Sequence, residues 1–336
     1  MKKIISCIAF VLLLAFLLVQ TTEVLTLKPA NRYYILKKYL EENPEKNSYD
    51  VKVFGSCHAY TSFNPVYLKE STGVDSFVYA NAGEIIPTTY ARMVEQFKKH
   101  TPKVALVEIW GINPYETYDT VERIFGDFLV ANLESIEFSL AKLEVINDLK
   151  NKKNKDISFV SMNFPFVNYK DRVIDDSLTD IDFNYNFEDL KTYSSSYMYD
   201  EMVSRLKNNG FKANPCKNTE DYPKMQNTVN QDETLEIEAD IAKYIQKIID
   251  LCAKKGVELI FYRSQYVSSF NELKKRNYFA QLCEQNGVKF IDLEEEINYD
   301  YTTDFYDYQH LSEIGANKST ELLMSHIMEA LGVTEN

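Results

Sequence analysis

Between residues 50 and 113 the chain alternates short apolar runs with amphipathic stretches. DVKVFGS, DSFVYANAG (75–83) and KVALVEIWGIN (103–113) read as three buried strands, the last a nearly continuous apolar run. Between them, Asn64-Pro65 supplies an N-cap and first helical position for a short helix over 65–71. PTTYARMVEQFKKH (87–100) opens on Pro87 and closes on basic residues, as a helix does. Residues 120–151 read as one long amphipathic helix or two. The alternation resumes with a helix over 234–256 ending on Gly256, strands at 257–263 and 288–293, a helix over 269–286, and a last helix between Ser312 and Leu331. This pattern predicts an α/β domain with a parallel sheet flanked by helices on both faces.

Two segments depart from it. MKKIISCIAFVLLLAFLLVQ places Lys2 and Lys3 before an uncharged run from Ile4 to Val19, with no small-x-small cleavage site after it. We read residues 1–27 as a transmembrane signal-anchor with its basic end in the cytoplasm, 28–49 as a connector, and 50–336 as an extracytoplasmic body. Residues 160–233 are rich in Tyr, Asn, Asp and Ser and lack long apolar periods. They read as an insertion beside the sheet, either a lid or substrate wall or a surface decoration.

The 336 residues carry a net charge of −13, which repels phosphate backbones and argues against a nucleic-acid partner. Of five cysteines, Cys7 lies in the apolar leader; Cys252 and Cys283 fall in helical contexts as buried thiols, unless a disulfide forms among Cys216, Cys252 and Cys283. Cys57 then stays unpaired. No CxxC or other compact ligand motif is present, so no metal or cofactor is expected. The 24 tyrosines could stack on sugar rings, but strand propensity and packing explain them equally well.

In an open parallel sheet, ligands gather at the carboxyl ends of the strands. Cys57 and His58 follow the first strand there, Gly83 the second and Asn113 the third. Asp307 and His310, spaced D-x-x-H before the last helix, form a carboxylate–imidazole pair that could orient and assist a nucleophile. His100 reads as a solvated helix end and His326 as packing or surface.

GSCHAYTSFNP, YANAGEIIPTTY, GIN and DYQHL, in this order, resemble the SGNH/GDSL hydrolase superfamily, most of all membrane-anchored bacterial members with a GSSHA-type first block. The resemblance implies a flavodoxin-like sheet and hydrolysis or transfer of O-acyl groups, often acetyl, on carbohydrate. It implies Cys57 in the nucleophile position where the family has serine, His310 and Asp307 as its acid–base pair, and Gly83 and Asn113 as oxyanion donors. Ser56 and His58 are supporting positions, and strand alternation aims Ser56 away from Cys57. The partners so implied are an acylated glycan or cell-wall polymer, the membrane through the anchor, and a membrane acyltransferase. An extracytoplasmic esterase or O-acyltransferase is the leading expectation. The alternatives are a catalytically silent module that binds a glycan or partner, and an acyl carrier charged on Cys57.

Overall fold

A computed structural model describes residues 2–25, 32–113, 128–149, 196–217 and 228–333. Five strands form one parallel sheet: β1 (Val51–Gly55), β2 (Ser76–Ala80), β3 (Val104–Glu108), β4 (Glu258–Arg263) and β5 (Lys289–Asp292), in the order β2-β1-β3-β4-β5. The order reverses between β1 and β3, the switch point of a flavodoxin-like doubly wound sheet.

The apolar runs become strands buried on both faces because alternate side chains feed two cores. Phe54, Val107 and Phe261 point to one face. It is covered by α2 (Arg32–Glu42), α5 (Ile86–Lys99), α9 (Ala239–Lys255) and α10 (Phe270–Gln285). Val53, Leu106 and Ile260 point to the other, under α3 (Cys57–Ser62), α4 (Pro65–Thr72) and α12 (Glu313–Ala330). Capping follows the sequence closely. Asn64 Oδ1 accepts from the Val66 and Tyr67 N–H groups, Gly256 ends α9 in the left-handed region, and Ser312 Oγ accepts from Gly315.

Two expectations need correction, on β3 and His100, and two open alternatives close, on 120–151 and the cysteines. β3 stops at Glu108 instead of running to 113, because the Glu108 carboxylate turns back to accept the Trp110 N–H (3.0 Å) and a 3₁₀ turn (Trp110–Ile112) follows. The stretch 120–151 holds two helices in its described part, α6 (Leu129–Ser135) and α7 (Leu140–Leu149). No disulfide joins the cysteines: Cys252 and Cys283 are free, buried, and pushed up to about 12 by burial, which makes them inert. His100 is tied down, with its ring 3.3 Å from Asp50 and its carbonyl accepting from the buried Lys52 ammonium (2.8 Å).

Of the 160–233 stretch, residues 196–217 lie beside the sheet. α8 (Ser196–Lys207) packs on α2, and the turn after it covers the open edge of β2. Asn209 O accepts the Val78 N–H (2.9 Å), and the Arg205 guanidinium donates to Ala80 O (2.9 Å). Residues 150–195 and 218–227 lie outside the described residues. At the other end, α1 (Lys2–Leu25) exposes Ile5, Val11 and Leu12. Among the described residues, no helix is long and apolar enough to cross a membrane.

Candidate active site

Gly55 ends β1 with φ +135°, and a Cβ there would lie 3.0 Å from the Glu108 Cβ and carbonyl oxygen. Only glycine lets the chain turn so tightly against β3. Ser56 follows as the N-cap of α3, its hydroxyl accepting from the His58 N–H (3.2 Å). The first residue of α3 is the half-buried Cys57. Its Sγ lies 3.8 Å from His58 Nδ1. Ser56 does not point into empty core: its hydroxyl is 3.2 Å from the same Nδ1 and donates to the fully buried Glu108 carboxylate (3.1 Å).

The opposite wall comes from the far end of the chain. Residues 306–310 form a tight turn in which Tyr306 N–H donates to His310 O (2.9 Å). It brings both Asp307 carboxylate oxygens to 3.0 Å from His310 Nδ1, while Asp307 Oδ1 also accepts the Gln309 and His310 N–H groups (2.8 and 2.9 Å). The His310 ring stacks on His58 at 5.3 Å, and His310 and the Cys57 thiol act electrostatically on one another.

This turn is seated by α12. Asp304 O accepts the Ser312 N–H (2.9 Å), and a Cβ on Gly315 would overlap that carbonyl. Gly315→Ala should therefore displace the 304–312 turn and cost about 1–3 kcal/mol of stability. A thermal unfolding midpoint equal to wild type would count against this role for Gly315.

Electrostatics follow from the geometry. Burial pushes the Cys57 thiol up, but His58 and His310 beside it outweigh that and hold it well below the ordinary thiol value. Burial lowers His310, yet the Cys57 charge and the Asp307 carboxylate raise it well above an ordinary imidazole. Burial likewise raises Asp307, while His310 and the two backbone N–H groups bring it below the usual carboxylate value. Sulfur and imidazole are thus poised as a thiolate–imidazolium pair.

Two of the expected residues have partners of their own. Asn113 is buried, donates to the Tyr266 hydroxyl (3.4 Å) and leaves its Oδ1 without a partner. Gly83 takes φ +61° in the turn after β2, under the Phe128 ring and next to a buried Glu84–Arg92 ion pair (3.0 Å). No hydrogen bond joins either to Cys57 among the described residues. Glu108, Trp110 and Tyr266 are additions: Trp110 and Tyr266 hold the His58 ring at 5.3 and 4.8 Å. Glu108 had a signal, as the one charge inside the VALVEIWGI run. Tyr266 had none. Among the described residues, no group of three or more His, Cys, Asp and Glu side chains could hold a metal ion.

No family model matches the sequence, and no curated protein does. Several solved structures are distantly similar, and one of them serves as the example. It is a "putative acylhydrolase" from Bacteroides fragilis, 8% identical, aligned over 88% of this chain and 95% of that one at a TM-score of 0.39.

Proposed function

We propose that the protein is an acyl-transferring enzyme, an esterase or O-acyltransferase working through Cys57, His310 and Asp307. The Cys57 thiolate attacks the ester carbonyl carbon, and the tetrahedral intermediate collapses to a thioester. The departing alkoxide takes its proton from the His310 imidazolium. Water or an acceptor hydroxyl then gives its proton to His310, attacks the thioester and expels the thiolate. Water makes the enzyme an esterase; a sugar hydroxyl makes it a transferase. The Cys57 and Gly83 backbone N–H groups and the Asn113 amide serve as oxyanion donors once substrate draws them in. Asp307 keeps the His310 ring oriented throughout.

The observation that carries this reading is geometric: a half-buried thiol at the first residue of α3, beside two stacked imidazoles of which one is gripped by a carboxylate through both oxygens, at the carboxyl end of a parallel sheet. In this proposal the substrate is an O-acylated carbohydrate of the cell wall or a secreted polymer. The apolar α1 tethers the body to the outer face of the cell membrane, beside an acyltransferase partner.

The test is p-nitrophenyl acetate turnover with intact mass on the purified protein. Wild type is expected to turn over and to carry an acetyl adduct; Cys57→Ala should show neither. Cys57→Ser should be slower, because its hydroxyl lacks the preformed anion. A wild type that neither reacts nor acylates, beside an active Cys57→Ser, would overturn the thiol mechanism and leave a binding module whose chemistry is silent.

A further inference from the structure

We propose that Glu108, Ser56 and His58 form a second relay, in which Glu108 fixes the His58 proton on Nδ1 so that this N–H donates to the Cys57 thiolate. The proposal rests on the reading of Cys57 as the nucleophile, and it assigns His58 the part of a positioning residue.

The hydrogen-bond count gives the direction of the relay. Glu108 Oε1 accepts the Trp110 N–H (3.0 Å), and Oε2 faces the Ser56 hydroxyl (3.1 Å). Burial pushes the Glu108 carboxyl up; in its ionised form it only accepts, so Ser56 then spends its one hydroxyl proton on Glu108, whereas a protonated Glu108 would donate to Ser56 and put the ring proton on Nε2. Ser56 Oγ is then an acceptor toward everything else, and two groups approach it: the His58 N–H and His58 Nδ1, both at 3.2 Å. Nδ1 must therefore carry the proton. That N–H is shared between Ser56 Oγ and Cys57 Sγ, 3.8 Å away.

The reverse direction fails on the same count. If Ser56 donated to Nδ1, the ring proton would sit on Nε2, which is buried and has no partner. Glu108 Oε2 would also lose its donor. Because Nε2 is without a partner in either tautomer, the net loss is the donor to Glu108, at about 1–3 kcal/mol.

Two imidazoles therefore flank the sulfur in different states. His310 is the cation that gives and takes protons. His58 is the Nδ1–H donor that keeps the sulfur anionic and in place. The titratable and charged groups facing this pair are His310 and Asp307 from the 306–310 turn, Glu108 from β3, Tyr262 from β4, and Tyr266 after β4 with Arg263 against its ring (4.8 Å).

The test reads the thiol directly, so it is independent of turnover. Iodoacetamide alkylation of Cys57 in the full-length protein is followed against pH by peptide mass mapping. Glu108→Gln must keep its amide oxygen on the Trp110 N–H, so its NH₂ faces Ser56 and reverses the relay. It should raise the alkylation midpoint by about one pH unit, a ~10-fold loss of thiolate stabilisation. His58→Leu should do the same. His58→Asn should stay close to wild type, because the asparagine NH₂ falls where Nδ1 stood. Nitrogen NMR of the wild-type His58 ring should show the Nδ1–H tautomer. The proposal is overturned by an Nε2–H tautomer, by unshifted midpoints in Glu108→Gln and His58→Leu, or by a His58→Asn shift as large as that of His58→Leu. Loss of ester turnover with these midpoints as expected would instead count against the proposed enzyme.

Discussion

His310→Ala is expected to lower p-nitrophenyl acetate turnover by at least ~10³-fold, the scale seen when the acid–base partner of a nucleophile is removed. It should also move the acid limb of thiol reactivity to higher pH. In the intact site the thiol is held low by the two histidines; without His310 only His58 opposes the burial that raises it. The reactive form of the wild type occupies the window above the lowered Cys57 value and below the raised His310 value, both properties of the pair and not of either residue alone. Acylation should thus be flat across neutral pH and fall on the acid side as the sulfur takes a proton. An alkaline limb should appear with an alkyl ester, whose leaving alkoxide needs the His310 proton. It should be absent with p-nitrophenyl acetate, whose leaving anion is stable unprotonated. Identical alkaline behaviour with both esters would remove His310 from the proton-transfer step.

The second large effect lies behind the site. Arg263→Met is expected to cost about 3–5 kcal/mol, the range for breaking a buried ion pair by removing one partner. Arg263 is 1% exposed at the end of β4. It donates to Asp292 (3.1 Å), Glu294 and Ser268 (2.6 Å) and packs over the Tyr266 ring (4.8 Å). Its loss leaves buried carboxylate charge without one of its cations, although Arg276 still reaches Asp292 (2.6 Å). For a domain of this size the melting point should fall by roughly 10 °C. Arg263→Lys should recover only part of that, because one ammonium cannot replace a fork that serves three acceptors. Because Tyr266 supports His58 (4.8 Å), the surviving folded fraction should also show a raised Cys57 alkylation midpoint. Unfolding curves and alkylation profiles identical to wild type would dismiss Arg263 as the hub.

Much of the architecture is legible in the chain because its elements are locally consistent. Strands 258–263 and 289–292 are short apolar runs between helices, and Asn64-Pro65, Gly256 and Ser312 mark the ends of α4, α9 and α12 to within a residue or two. The third strand misleads because apolar character continues past the point where hydrogen bonding stops. Glu108 ends it by capping a turn, which no periodicity reveals. The 196–217 segment misleads for the opposite reason. Its polarity looks like insertion, while its backbone and Arg205 cover a sheet edge that needs hydrogen bonds more than apolar area.

The sequence by itself determined the order of strands and helices, the small-residue turn that carries Cys57, and the D-x-x-H pair, since local patterning and short spacings encode these directly. Only the tertiary structure decided that residues 57 and 310 face one another, that His58 turns toward the sulfur, and that Glu108, Trp110 and Tyr266 surround it. Those relations join segments some 50 to 250 residues apart. They arise from sheet order and from burial, which makes every polar atom near Cys57 choose a partner.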